Sequence, residues 1–141
     1  MERRSFLNSI FAAAATLPFV GRARAAGQSH EFHERGAERE LLIQESPVAG
    51  FQYHDGESVW SRLSAGDSIE LLREPANPYD RRAVAVYWGE SKLGYVPRAA
   101  NSACCQMLDR GERLTARIKR LRESPDPWKR VELSIAARIA V

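Results

Sequence analysis

The sequence predicts a mainly β domain: a small, closed or partly open barrel of about six strands with one main helix. Three observations predict it. Apolar residues alternate with period two over short runs, turn residues bound each run, and only the stretch after Pro97 carries an apolar stripe at helical spacing. At 141 residues the chain has room for one compact domain. Its 44% hydrophobic and 28% charged residues are ordinary for a globular protein.

The first segment reads as an export signal rather than as part of the fold. Arg3-Arg4 precedes an uncharged run from Ser5 to Gly21, and Ala23-Arg24-Ala25 has the small-x-small pattern of a cleavage site. The arginine pair followed by Ser5, Phe6 and Leu7 resembles the twin-arginine export signature, with Glu2 and Asn8 in place of the residues most often found at its ends. The run is rich in Ala and broken by Pro18, and it falls short of the roughly 20 strongly apolar residues that a stable transmembrane span needs. Residues 1–25 are therefore expected to be cleaved and the protein to be periplasmic or otherwise exported; a misread signal would leave it cytoplasmic.

Cleavage changes the charge balance. The whole chain has 21 basic and 18 acidic residues, and the signal takes four arginines and one glutamate with it. The remainder is formally neutral, which removes overall charge as an argument for a nucleic-acid partner. Residues 26–40 are polar, without apolar periodicity, and read as a tether. His30 and His33 flank Glu31 there, but a metal site needs three or four converging ligands, so no metal is expected.

From Leu41 onward the elements follow in order. "LLIQESPVAGFQY" gives a strand, a break at Ser46-Pro47 and a second strand through Gly50-Phe51-Gln52-Tyr53. "DGESVWSRLSAGD" reads as a loop or single helical turn anchored by Val59, Trp60 and Leu63, and "SIELLRE" as a strand ending at Pro75. In the hairpin that follows, Val84, Val86 and Trp88 point one way and Ala83, Ala85 and Tyr87 the other, before Gly89-Glu90-Ser91 turns the chain into "KLGYV". Pro97 then opens a helix with Ala100, Ala103, Cys104, Met107 and Leu108 on one face, closed by Gly111. Cys105 lies beside that stripe and is expected to be the more exposed thiol. "ERLTARIKRLRE" puts Leu114, Ala116, Ile118 and Arg120 on one face of a strand, "SPDPW" turns, and "KRVELSIAARIAV" returns as the last strand. Trp60, Trp88 and Trp128 are read as core.

Three of these segments together carry a resemblance: "VAGFQYHDG", "LLREPANPYDRRAVAVYW" and "KLGYVPRAANSACCQML". From about Pro47 to Leu121 their order, spacing and residues resemble the HIRAN domain. The strongest part runs from Glu74 through Asn77-Pro78-Tyr79-Asp80 to Ala83-Val84, followed by Leu93-Gly94-Tyr95-Val96-Pro97. The resemblance implies an OB-like barrel over residues 41–141 that binds nucleic acid and recognises the 3′ ends of single-stranded DNA. It also assigns residues: Tyr53 and Tyr79 as aromatic contacts, Asp80 as acceptor of the terminal hydroxyl, Asn77 at a phosphate or sugar, and Tyr95 as a further polar ring. Gln52 stands where DNA-binding members have a phosphate-contacting arginine and His54 where they have another tyrosine, so weaker attraction to phosphate is expected.

The residues alone leave a second reading open, in which the Asn77 to Asp80 turn is an ordinary corner and the barrel is a periplasmic interaction domain for a peptide, a glycan or a partner protein. The sequence holds no phosphate-binding glycine loop with its lysine, no nucleophile elbow and no metal-ligand cluster, so neither enzymatic activity nor a cofactor is expected.

Overall fold

A computed structural model of the chain describes residues 36–141. The segment read as an export signal and most of the stretch read as a tether lie outside the described residues. Six strands form one antiparallel sheet: β1 (Glu38–Pro47), β2 (Ser68–Arg73), β3 (Val84–Trp88), β4 (Ser91–Tyr95), β5 (Leu114–Leu121) and β6 (Val131–Ala140). Their spatial order is β1-β6-β5-β2-β3-β4. Two short helices, α1 (Gly56–Val59) and α2 (Ser102–Asp109), complete the mainly β architecture.

Just past the end of β1 the chain crosses to the far edge of this sheet. Ala49 exchanges both backbone hydrogen bonds with Tyr95 of β4, at 2.8 and 2.9 Å, so the two edges of the sheet meet. Gly94 allows the approach. Its φ of 149° lies in a region that residues with a Cβ avoid, and a Cβ there would collide with the Ala49 carbonyl oxygen and press on Val48 Cγ1. Inside the closed sheet, Phe51, Val84, Val86, Leu93, Ile118, Leu133 and Ile135 are fully buried. At its other end the domain brings Ala37 against Val141, whose N–H donates to the Ala37 carbonyl at 3.0 Å.

Several boundaries and faces differ from the sequence expectation. β1 starts at Glu38, inside the stretch read as tether, because residues 38–41 pair with 137–140 of β6. The strand expected through Gly50-Phe51-Gln52-Tyr53 is instead a 3₁₀ turn over Phe51–Tyr53. Gly50, left-handed at φ 73°, reverses the chain directly after the Ala49 bridge and drops Phe51 into the core. The Phe51 ring packs edge-on against Trp60 and occupies space that a Cβ on Gly56 would fill.

Pro97 does not open α2, since its ψ of 137° is extended; a 3₁₀ turn at Arg98–Ala100 intervenes, and Asn101 precedes the helix. The buried face is accordingly Asn101, Cys104, Cys105 and half-buried Leu108, at i, i+3, i+4 and i+7, while Ala100 and Ala103 are exposed. The polar Asn101 at the head of that stripe concealed it. Cys105 is the more exposed of the two thiols, as expected, but only slightly: both cysteines are buried. Arg120 leaves the inward face because the β5–β6 register slips between Ile118 and Arg120. Trp60 and Trp88 pack against the core as expected, whereas Trp128 is half exposed.

Closure through Gly94 yields a direct test. Gly94→Ala should destabilise the domain by about 3 kcal/mol or more, because strained backbone and steric overlap coincide. Gly66→Ala, at a positive φ with open space around it, should cost only about 1 kcal/mol. Urea denaturation of both variants measures the difference, and equal losses would remove Gly94 as the closing point.

Candidate nucleic-acid interface

β2 ends at Arg73, and the chain makes a broad turn before it re-enters the sheet as β3. That turn, the start of β4's exit and the segment after β1 enclose a cleft of about 750 Å³. His54, Asn77, Tyr79, Asp80 and Tyr95 all line it, so five of the seven site residues read from the sequence converge from three separate segments. Gln52 and Tyr53 do not line it. They are exposed on the 3₁₀ turn immediately before His54.

The cleft floor is a bonded network that the sequence reading did not assign. Glu74 sits at its centre, accepting from Lys92 Nζ at 2.8 Å through Oε2 and from the Tyr95 hydroxyl at 2.8 Å through Oε1. The Lys92 ammonium also donates to the Tyr95 hydroxyl at 2.6 Å and stands 4.3 Å from the centre of its ring. Asn77 Nδ2 reaches the Glu74 carboxylate and the Tyr95 hydroxyl, each at 3.3 Å. Its Oδ1 accepts from the backbone N–H groups of Tyr79 and Asp80, which folds the turn around the side chain. Asn77 therefore shapes the cleft from beneath, with both side-chain polar atoms engaged. Tyr95 likewise spends its hydroxyl inward and presents its ring to the cleft, where His54 meets it at 5.5 Å between centroids.

Two aromatic rings near the cleft, one on this turn and one on the 3₁₀ turn, face outward. Tyr79 is 86% exposed and Tyr53 is 80% exposed, so neither ring plugs a corner. Asp80 is half-buried and held at both oxygens: Arg82 N–H donates to Oδ1 at 2.9 Å and Asn101 Nδ2 to Oδ2 at 2.8 Å. Arg98, which also lines the cleft, supplies an exposed cation. Glu74, Lys92, Arg98 and Asn101 were legible only as part of their segments.

A family model for the HIRAN domain matches residues 42–140. The chain belongs to the HIRAN domain family. The match extends beyond the 47–121 stretch that carried the resemblance and takes in the second half of β1 and all of β6. Among solved structures, a crystal structure of a protein from Lactobacillus plantarum is 26% identical, with a TM-score of 0.63 over 72% of this chain and 98% of that one. The crystal structure of the HIRAN domain of human HLTF shares the fold at 17% identity, with a TM-score of 0.55 over 70% of this chain and 78% of that one. No curated protein matches the sequence.

Electrostatics fix the charge states of this HIRAN cleft. Burial works against the Glu74 charge, but hydrogen bonds from Lys92, Tyr95 and Asn77 outweigh it and hold the carboxyl below its usual range. Lys92 shows the reciprocal effect: burial opposes its charge, and Glu74 and Tyr95 raise its pKa regardless. Asp80 is also lowered, since the Arg82 N–H, Asn101 and the fields of Arg98 and Arg82 together overcome burial. His54 moves the other way, its pKa lowered first by burial and then by Lys92, so at neutral pH it is an uncharged ring.

The lowered Glu74 pKa means that its pairing stabilises the fold above the ordinary carboxyl value of 4.5 and is lost as pH falls through the folded value. Lys92→Met should cost about 1–3 kcal/mol at pH 7, because it strips a charged hydrogen bond from a partly buried carboxylate. Without Lys92, burial raises the Glu74 pKa, and protonation then relieves the variant. The stability gap between variant and wild type should narrow as pH falls from 7 to 4, and Lys92→Met with Glu74→Gln should recover part of it. Thermal melts across that pH range read both effects; a constant gap would show that Glu74 does not depend on Lys92.

Proposed function

We propose that the protein is a nucleic-acid-binding module whose cleft takes the 3′ end of a single DNA strand. One observation carries the reading: Tyr79 is almost fully exposed next to a charged Asp80, on a turn that the Asn77 side chain holds from below. A flat aromatic face beside a free acceptor fits a base and a hydroxyl. Stacking on such a face contributes about 1–3 kcal/mol per base without demanding a sequence. Nucleic-acid binding is general to HIRAN domains, and the fold shared with that of human HLTF supports the same use of this barrel.

Each Asp80 oxygen accepts one bond within the protein and keeps further acceptor capacity. A terminal hydroxyl donates to it; a terminal phosphate would bring a negative charge against it. Tyr53 gives a second base a stacking surface, and His54 with Tyr95 forms the cleft wall between them. Arg98 attracts phosphate, while Gln52 contributes only a neutral amide at the exposed turn. Asn77 acts through the turn it holds. The Arg3-Arg4 signal puts the ligand outside the cytoplasm, and no catalytic step is part of the proposal.

A short single-stranded oligonucleotide should bind more tightly with a 3′-hydroxyl than with a 3′-phosphate. Asp80→Ala should reduce that preference, and Tyr79→Ala should weaken both ligands by about 1–3 kcal/mol. Gln52→Arg should tighten binding and steepen its salt dependence by about 0.7 in log K against log salt for one added phosphate contact. Fluorescence anisotropy at low salt, with protein to about 100 μM, covers the weak range expected of a near-neutral domain. No binding there by the folded protein would transfer the cleft to a peptide, a glycan or a partner protein.

A further inference from the structure

The residue that heads α2 does not cap it. Asn101 holds the N-cap position, where an asparagine ordinarily accepts a hydrogen bond from the first turn of its helix, yet its side chain makes no such bond. Its Nδ2 donates to Asp80 Oδ2 at 2.8 Å instead, and its Oδ1 has no partner among the described residues. The side chain is completely buried. Forgoing the cap and leaving a buried acceptor unpaired both cost stability. Asp80 itself is half-buried and within reach of water, so its charge does not require this bond. What the bond supplies is direction. Arg82 N–H holds one oxygen and Asn101 the other, so two donors from separate segments pin the carboxylate plane against rotation about χ2, a soft torsion in aspartate.

We propose that Asn101 is the positioning residue of the cleft, fixing the Asp80 carboxylate so that its remaining acceptor sites face the hydroxyl at the end of a bound strand. The inference rests on the strand-end reading given above. Asn101 touches no ligand; it acts through Asp80. Released from Asn101, the carboxylate turns on its remaining bond and meets the hydroxyl in only a fraction of its orientations. The 3′-phosphate strand, which gains nothing from that acceptor, is indifferent to the change.

Two variants separate positioning from structural support. Asn101→Ser retains a side chain that caps helices well but is too short to replace the amide at Asp80, and Asn101→Leu keeps the volume without the donor. In both, the preference for 3′-hydroxyl over 3′-phosphate oligonucleotide should fall by about fivefold or more, the scale of a hydrogen bond to a charged group. Affinity for the 3′-phosphate strand should stay within about twofold, since general damage alone would weaken both strands alike. An unchanged preference in the folded variants, or a parallel loss for both strands, would overturn the assignment. Carboxyl NMR of Asp80 provides a measurement independent of any ligand, and its titration midpoint should rise in Asn101→Leu. If the wild-type protein binds both strand ends equally, the strand-end reading fails. The Asn101 assignment is then decided by the Asp80 titration alone, and a midpoint unmoved in Asn101→Leu overturns that too.

Discussion

Two backbone hydrogen bonds between Ala49 and Tyr95 turn a six-stranded sheet into a barrel, and the candidate site exists because of them. They bring the segment after β1 against β4, which sets His54 beside the Tyr95 ring and makes one wall of the cleft. They require a residue without a Cβ at position 94. They also fix the direction in which the chain leaves β1, so that Gly50 can reverse it and Phe51 can enter the core. A single close approach of backbone thus couples the hydrophobic interior to the functional surface.

The cleft divides its labour by depth. Below, Glu74, Lys92, Tyr95 and Asn77 satisfy one another in a compact network with one carboxylate and one ammonium, a balanced pair whose bonds repay part of its desolvation. Above, Tyr79 and Arg98 are left to solvent. Asp80 lies at the junction, restrained by the protein and accessible from the cleft. Rigid support beneath exposed contact groups reduces the ordering cost that a ligand would otherwise bear.

The strands were legible because period-two alternation and turn residues agree along the chain: β2, β3, β4, β5 and β6 fall where the pattern places them. The errors share a physical origin. Residues 50–53 look like a strand because Phe51 and Tyr53 alternate with Gly50 and Gln52, but a left-handed glycine and the pull of Phe51 toward the core override that local pattern. The α2 face was misjudged because its leading member is a buried asparagine, and burial of a polar residue is decided by a partner far away in sequence. The same limit applies to the site. Asn77, Tyr79 and Asp80 announce themselves as a turn motif, whereas Glu74, Lys92 and Asn101 acquire their roles only when β2, β4 and α2 converge.

The hydrogen bond from Val141 N–H to the Ala37 carbonyl has a consequence for how such a domain is combined with others. Entry and exit of the described chain lie side by side at one end of the β1–β6 ribbon. A polypeptide interrupted by this barrel would keep its two flanking segments almost as close as neighbours. The loop-closure entropy of holding the insert's ends together is already met by strand pairing. The fold is in that sense self-fastening, a unit that a larger architecture can carry without being stretched to accommodate it.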